Sequence, residues 1–115
     1  MADRLNSPMN TKKIDPSEVN TYTREDEDVI FVFKDIRDYV VITPERLIMV
    51  DIKGTGKKIN VRSIPWDSVC AWSYETQGVA DPNEEFLFEL INGKEVIFGV
   101  NGKADEVYDI LRSII

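Results

Sequence analysis

Between Val29 and Val100 the chain repeats one pattern, a short run of β-branched and aromatic residues followed by a turn signal. Such runs read as strands. They fall at 29–33, 39–42, 46–52, 57–64, 67–74, 84–91 and 94–100. The separators carry turn chemistry: Thr43-Pro44-Glu45, the two glycines of Lys53-Gly54-Thr55-Gly56, and Pro65, which cannot donate to a ladder. Asn92-Gly93 is the strongest hairpin signal, because a type I′ turn needs positive φ at both central residues. After Val100 the period changes. Val107, Ile110, Leu111 and Ile114 fall at i, i+3, i+4 and i+7, the apolar stripe of an amphipathic helix. Asn101 is the expected cap, with Asp105 and Glu106 near the positive end of the helix dipole. The reading is a mainly β fold, seven antiparallel strands and one C-terminal helix.

Residues 1–24 depart from this pattern. They are rich in Asn, Thr and Ser and poor in large apolar residues. Asp15-Pro16-Ser17-Glu18 looks like a helix start, with Val19 and Tyr22 as the only apolar face of that helix. The expectation is a flexible arm with one short helix over 1–24, then a single domain over 25–115, with Glu25-Asp26-Glu27-Asp28 as a solvated linker. A length of 115 residues suits one domain.

Particular segments resemble a known family. Phe33-Lys34-Asp35-Ile36-Arg37-Asp38-Tyr39-Val40-Val41-Ile42 runs into Thr43-Pro44-Glu45-Arg46-Leu47-Ile48, and Gly56-Lys57-Lys58 leads to Arg62-Ser63-Ile64-Pro65-Trp66. These segments, with Tyr74-Glu75-Thr76 and the loop around Asp81, resemble the small stand-alone bacterial pleckstrin-homology (PH) proteins from about Glu27 to Ile115. The Thr-x-x-Arg-Leu segment at 43–47 and Ser-Ile-Pro-aromatic at 63–66 are the most specific parts, with Trp66 where a tyrosine is more usual. The resemblance implies a PH-like fold, a bent seven-stranded antiparallel sandwich or barrel capped by its C-terminal helix. It also implies a tendency to form closed homo-oligomers.

Composition narrows the chemistry. The chain has no histidine and one cysteine, so the usual neutral-pH base, the commonest metal ligand and a thiolate cluster are all absent. No serine has an imidazole partner, and no glycine-rich phosphate loop joins a strand to a helix. No enzyme activity, catalytic residue, metal or cofactor is expected. A net charge of -7 argues against nucleic acid as a partner. No run is long and apolar enough for a transmembrane segment, the N-terminus lacks a signal-peptide centre, and the expected location is the cytoplasm. Cys70 is expected to be a small buried hydrophobe on a strand.

Two surfaces remain as candidates. Val29–Phe33, Tyr39–Ile42 and Leu47–Val50 are apolar at successive positions, so both faces of these strands need cover. Ile30, Val32, Tyr39, Val41, Ile48 and Val50 are the expected contacts with another subunit or a protein partner, although the chain's own arm could cover the same patch. The other candidate is the open end that the PH resemblance implies. Lys34, Arg37, Lys53, Lys57, Lys58 and Lys94 fall in its loops and could hold a small anionic ligand, a phosphorylated lipid head group or a nucleotide. The plainer explanation for those lysines is solubility and protection of turns and edges.

Overall fold

The structure, a computed structural model, describes residues 2–10, 16–34, 38–53, 58–76, 84–101 and 104–115. The strands are β1 (Ala2–Asn10), β2 (Phe31–Lys34), β3 (Tyr39–Ile42), β4 (Arg46–Lys53), β5 (Lys58–Pro65), β6 (Val69–Glu75), β7 (Glu84–Leu90) and β8 (Glu95–Asn101). Helix α1 spans Ala104–Ile114, and 3-10 turns span Pro16–Tyr22 and Trp66–Ser68. Strands β2 to β8 and α1 are the seven strands and terminal helix expected from the sequence. They form an antiparallel β2-β3-β4-β5 sheet and an antiparallel β8-β7-β6 ladder, and β1 adds in parallel to β8.

The two faces of the β2–β5 sheet follow from its register. Phe31, Phe33, Val40, Ile42, Leu47, Met49 and Ile64 point inward. There they meet Phe86, Phe88, Val96, Phe98 and Val100 of the other sheet and Ala104, Val107 and Leu111 of α1. Ring pairs bind the layers together, with Phe33 and Phe98 centroids 5.6 Å apart and Trp66 and Phe88 5.7 Å apart. Burying each such side chain contributes on the order of 2 kcal/mol. The helix lies where its stripe requires: Val107 and Leu111 are fully buried, while Asp105, Glu106 and Asp109 face solvent. The expected cap, Asn101, is instead the last residue of β8.

Three local expectations change. The last hairpin is not a two-residue turn on Asn92-Gly93. Gly93 N–H donates to the Leu90 carbonyl at 2.9 Å and Leu90 N–H to the Lys94 carbonyl at 2.8 Å, so the turn centres on Ile91-Asn92 and Gly93 follows at φ +85°. This three-residue loop uses glycine only at its left-handed position. Cys70 is exposed: the β6–β7 register slips between Val69 and Ala71, and the Cys70 thiol turns to the Glu89 carbonyl at 3.3 Å. The segment read as an arm carries strand β1, and its short helix is a 3-10 turn.

Candidate binding surfaces

The turn between β3 and β4 explains why Thr43-x-x-Arg46-Leu47 is a recognisable segment. Thr43 Oγ1 accepts from the backbone N–H groups of Glu45 and Arg46 at 3.2 and 3.1 Å, closing the turn on its own side chain. Arg46 then projects a guanidinium fork at Glu27. Nε reaches Oε2 at 2.8 Å and Nη2 reaches Oε1 at 2.7 Å, a bidentate pair. Thr43 Oγ1 and the Arg24 N–H complete the carboxylate's partners at 3.1 and 3.0 Å. The Glu27 side chain is 0% exposed. Arg46's hydrogen bonds outweigh the opposing effect of burial and hold the carboxyl at about 2, below its ordinary 4.5. Arg46 also donates to Ser63 Oγ at 2.9 Å, Arg24 pairs with Glu45, and Trp66 Nε1 donates to the Thr43 carbonyl at 2.8 Å. Thus the segments at 43–47 and 63–66 converge on one polar corner.

Glu27 therefore overturns its reading as solvated linker. Four consecutive acids show no preference for which one turns inward. The signal was on the other side, in the arginine that follows a turn-forming threonine.

This corner fixes the 3-10 turn across the outer face of the β2–β5 sheet. Val19 is fully buried with Val32, Val41, Ile48 and Val50, and Tyr22 packs at their margin with its ring 6.4 Å from Tyr39. Four of the six residues expected at a subunit contact are therefore packed inside the subunit. Ile30 joins the main core at its edge, and Tyr39 is half-buried. The cover stops at β4. Directly opposite Val50 and Ile52 in register stand Val61 and Ile59 of β5, which are 45% and 47% exposed.

The lysine-bearing turns are arranged differently. Lys34 lies over the Tyr39 ring at 5.6 Å, and Lys53 reaches Asp51 at 3.8 Å. Lys53 and Lys58 stand opposite each other in register at the tip of the β4–β5 hairpin. Lys58 and Lys94 are exposed. Arg37 and Lys57 lie outside the described residues. Asp38, just before β3, is buried and accepts the Ile52 N–H at 2.9 Å.

A third surface escaped the sequence reading. Trp72 and Tyr74 of β6 lean toward Tyr108 of α1, with ring centroids 5.6 and 5.3 Å away, along a shallow cleft of about 500 Å³ also lined by Ser73 and Asp105. The Tyr74 hydroxyl donates to Glu84 and lies 3.4 Å from Asp105. Burial and the Glu84 hydrogen bond push that phenol well above its ordinary value.

Comparison with known proteins agrees with this architecture. Residues 5–115 match the family model described as Bacterial PH domain. "Uncharacterized protein YjqA" of Bacillus subtilis (strain 168) is 40% identical over 88 residues, covering 75% of this chain and 70% of that protein. The crystal structure of a DUF1696 family protein with a pleckstrin-homology domain from Shewanella loihica PV-4 superposes with a TM-score of 0.72 at 25% identity, covering 92% of this chain and 95% of the other. A pleckstrin homology domain from Shewanella amazonensis SB2B gives 0.62 at 26% identity, over 87% and 82% of the two chains. With two four-stranded sheets, a terminal helix packed on the core and a match over residues 5–115, the chain belongs to the bacterial PH domain family.

Proposed function

We propose that this chain is a non-catalytic interaction and assembly module, whose subunits form a homo-oligomer and which binds a protein partner. The observation that carries assembly is the uncovered part of the β2–β5 outer face. Val61 and Ile59 continue, without a break in register, the apolar rows that Val19 covers on β2 to β4. With half-buried Tyr39 and Ile52 they make an apolar strip at the edge of a sheet, where a second subunit would remove it from water. Val32 and Val41 are poor places to test this, because an aspartate there would bury a charge under Val19. Val61→Asp is the better probe. Light scattering on a sizing column should give a discrete oligomer for the wild type and a smaller species for Val61→Asp, with unchanged circular dichroism. A wild-type monomer would remove the assembly reading.

A second reading, capture of a small anionic ligand, rests on the β4–β5 tip. Like charges set opposite each other repel, and an anion between Lys53 and Lys58 would relieve that repulsion. Isothermal titration with inositol phosphates and nucleoside triphosphates should then give heats that fall steeply with added salt and vanish in Lys53→Glu/Lys58→Glu. Equal heats for that variant and the wild type would reject the site.

A further inference from the structure

The sheets end in edge strands that differ in how they are protected. Edge strands present unpaired N–H and C=O groups, and proteins blunt them with shortness, lysine, arginine or proline. Strand β2 has four residues; β5 carries Lys58, Arg62 and Pro65; β1 contains Arg4 and Pro8. Strand β6 carries no lysine, arginine or proline, and its one charged side chain is Glu75 at its end. It reads Val69-Cys70-Ala71-Trp72-Ser73-Tyr74-Glu75, and among the described residues only β7 pairs with it. Its register slip is confined to Val69–Ala71, so Ala71–Glu75 pairs regularly with β7 and ends its sheet.

Beside that edge runs the aromatic cleft formed with α1. Trp72 and Tyr74 cover its floor, Tyr108, 37% exposed, forms its wall, Ser73 also lines it, and Glu75 stands exposed at the end of the strand. The charge at the β6 end of the cleft is acidic: Asp105 lines it, and Glu84 is held against Tyr74. Arg112, the nearby cation on α1, is ion-paired with Asp109 at 3.1 Å and places its guanidinium 5.7 Å from the Tyr108 ring. Thus Tyr108 already accepts a cation on one side.

We infer that β6 and α1 form a docking site for an extended, arginine- or lysine-bearing segment of a partner protein, which adds as a strand to the β6 edge. The inference rests on the interaction-module reading and names the chemistry of the partner. Main-chain hydrogen bonds to β6 supply affinity, and alternate side chains of the added strand fall into the cleft. An arginine there meets the Asp105 carboxylate and the Trp72 and Tyr108 rings together, joining a charge pair to cation–π contacts. A uniformly acidic segment would be repelled by Asp105 and Glu84. The aromatic floor gives the strand an apolar surface that the lysine-bearing tips lack.

The probe is the blocked peptide acetyl-Thr-Arg-Val-Arg-Thr-amide, titrated into the full chain labelled with nitrogen-15. Expected are progressive shifts at the Ala71, Ser73 and Glu75 amides and the Trp72 indole, with a dissociation constant on the order of a millimolar or below. Replacing both arginines by glutamate should weaken binding roughly fivefold or more. N-methylation of alternate amides, which forbids strand pairing, should abolish the shifts. Asp105→Lys and Tyr108→Ala, both at exposed positions, should each weaken binding while leaving the spectrum of the free protein otherwise intact. Shifts that map elsewhere, survive N-methylation or never appear would overturn the site. Concentration-dependent shifts on β6 without peptide would assign the edge to a second copy instead and overturn the partner assignment. Because the native mass is read separately, loss of this site would leave the assembly reading standing.

Discussion

The corner around Arg46 and the lysine-bearing hairpin tip at the other end of β4 are built from similar residue types and work in opposite ways. At the corner, the buried polar groups meet named partners: Glu27 receives Arg46, Thr43 and Arg24, and Trp66 reaches the Thr43 carbonyl. At the tip, Lys53 and Lys58 face each other with, among the described residues, a long contact from Lys53 to Asp51. Charge that is buried and fully hydrogen-bonded specifies how the chain closes. Charge at an exposed tip contributes little to stability and stays free for something else. The segments at 43–47 and 63–66, on which the resemblance in sequence chiefly rests, both contribute to this corner and so serve the architecture.

The contrast can be broken at its strong side first. Arg46→Ala leaves the Glu27 carboxylate buried without its main partner, and should cost about 3 kcal/mol in urea unfolding. A loss below about 1 kcal/mol would mean the pair contributes no more than an exposed one. Glu27→Gln sharpens the same point through pH. The native carboxyl is held at about 2 against an ordinary 4.5, so its stabilisation is present above 4.5 and disappears as pH falls toward 2. At neutral pH the glutamine variant should be about 1–2 kcal/mol less stable than wild type. That gap should close between pH 4.5 and 2, and a gap independent of pH would contradict the cause assigned to the shift. At the weak side, Lys58→Gln should change stability by less than about 0.5 kcal/mol. A larger loss would place Lys58 in the fold's own support.

Much of this arrangement was legible in the sequence, for identifiable reasons. The β2 to β4 runs are apolar at successive positions, β7 alternates, and the Val107–Ile114 stripe carries period 3.6, so strands and helix emerge from local pattern alone. The apolar excess of Tyr39–Ile42 and Leu47–Val50 correctly required cover on both faces, but not its source. Val19 and Tyr22 supplied it from an otherwise polar segment. Three features had no local signature. Residues 2–10 show no strand alternation and contain Pro8, and their partner β8 lies at the far end of the chain. The Glu27 pair joins residues 19 apart in sequence. The aromatic cleft gathers Trp72, Tyr74 and Tyr108 from two elements, and no spacing rule connects them.

The parallel pairing of β1 with β8 has a consequence for the order of folding. Hairpins β2–β3 and β4–β5 close short loops and can form as soon as their residues are available. Residues 2–10 must wait for 95–101, so this stretch is made well before the strand it pairs with. The pairing closes the span from residue 10 to residue 95 into one loop, and such long-range contacts slow folding. During synthesis residues 2–10 thus emerge without their partner, and their place in the sheet is completed only when β8 follows.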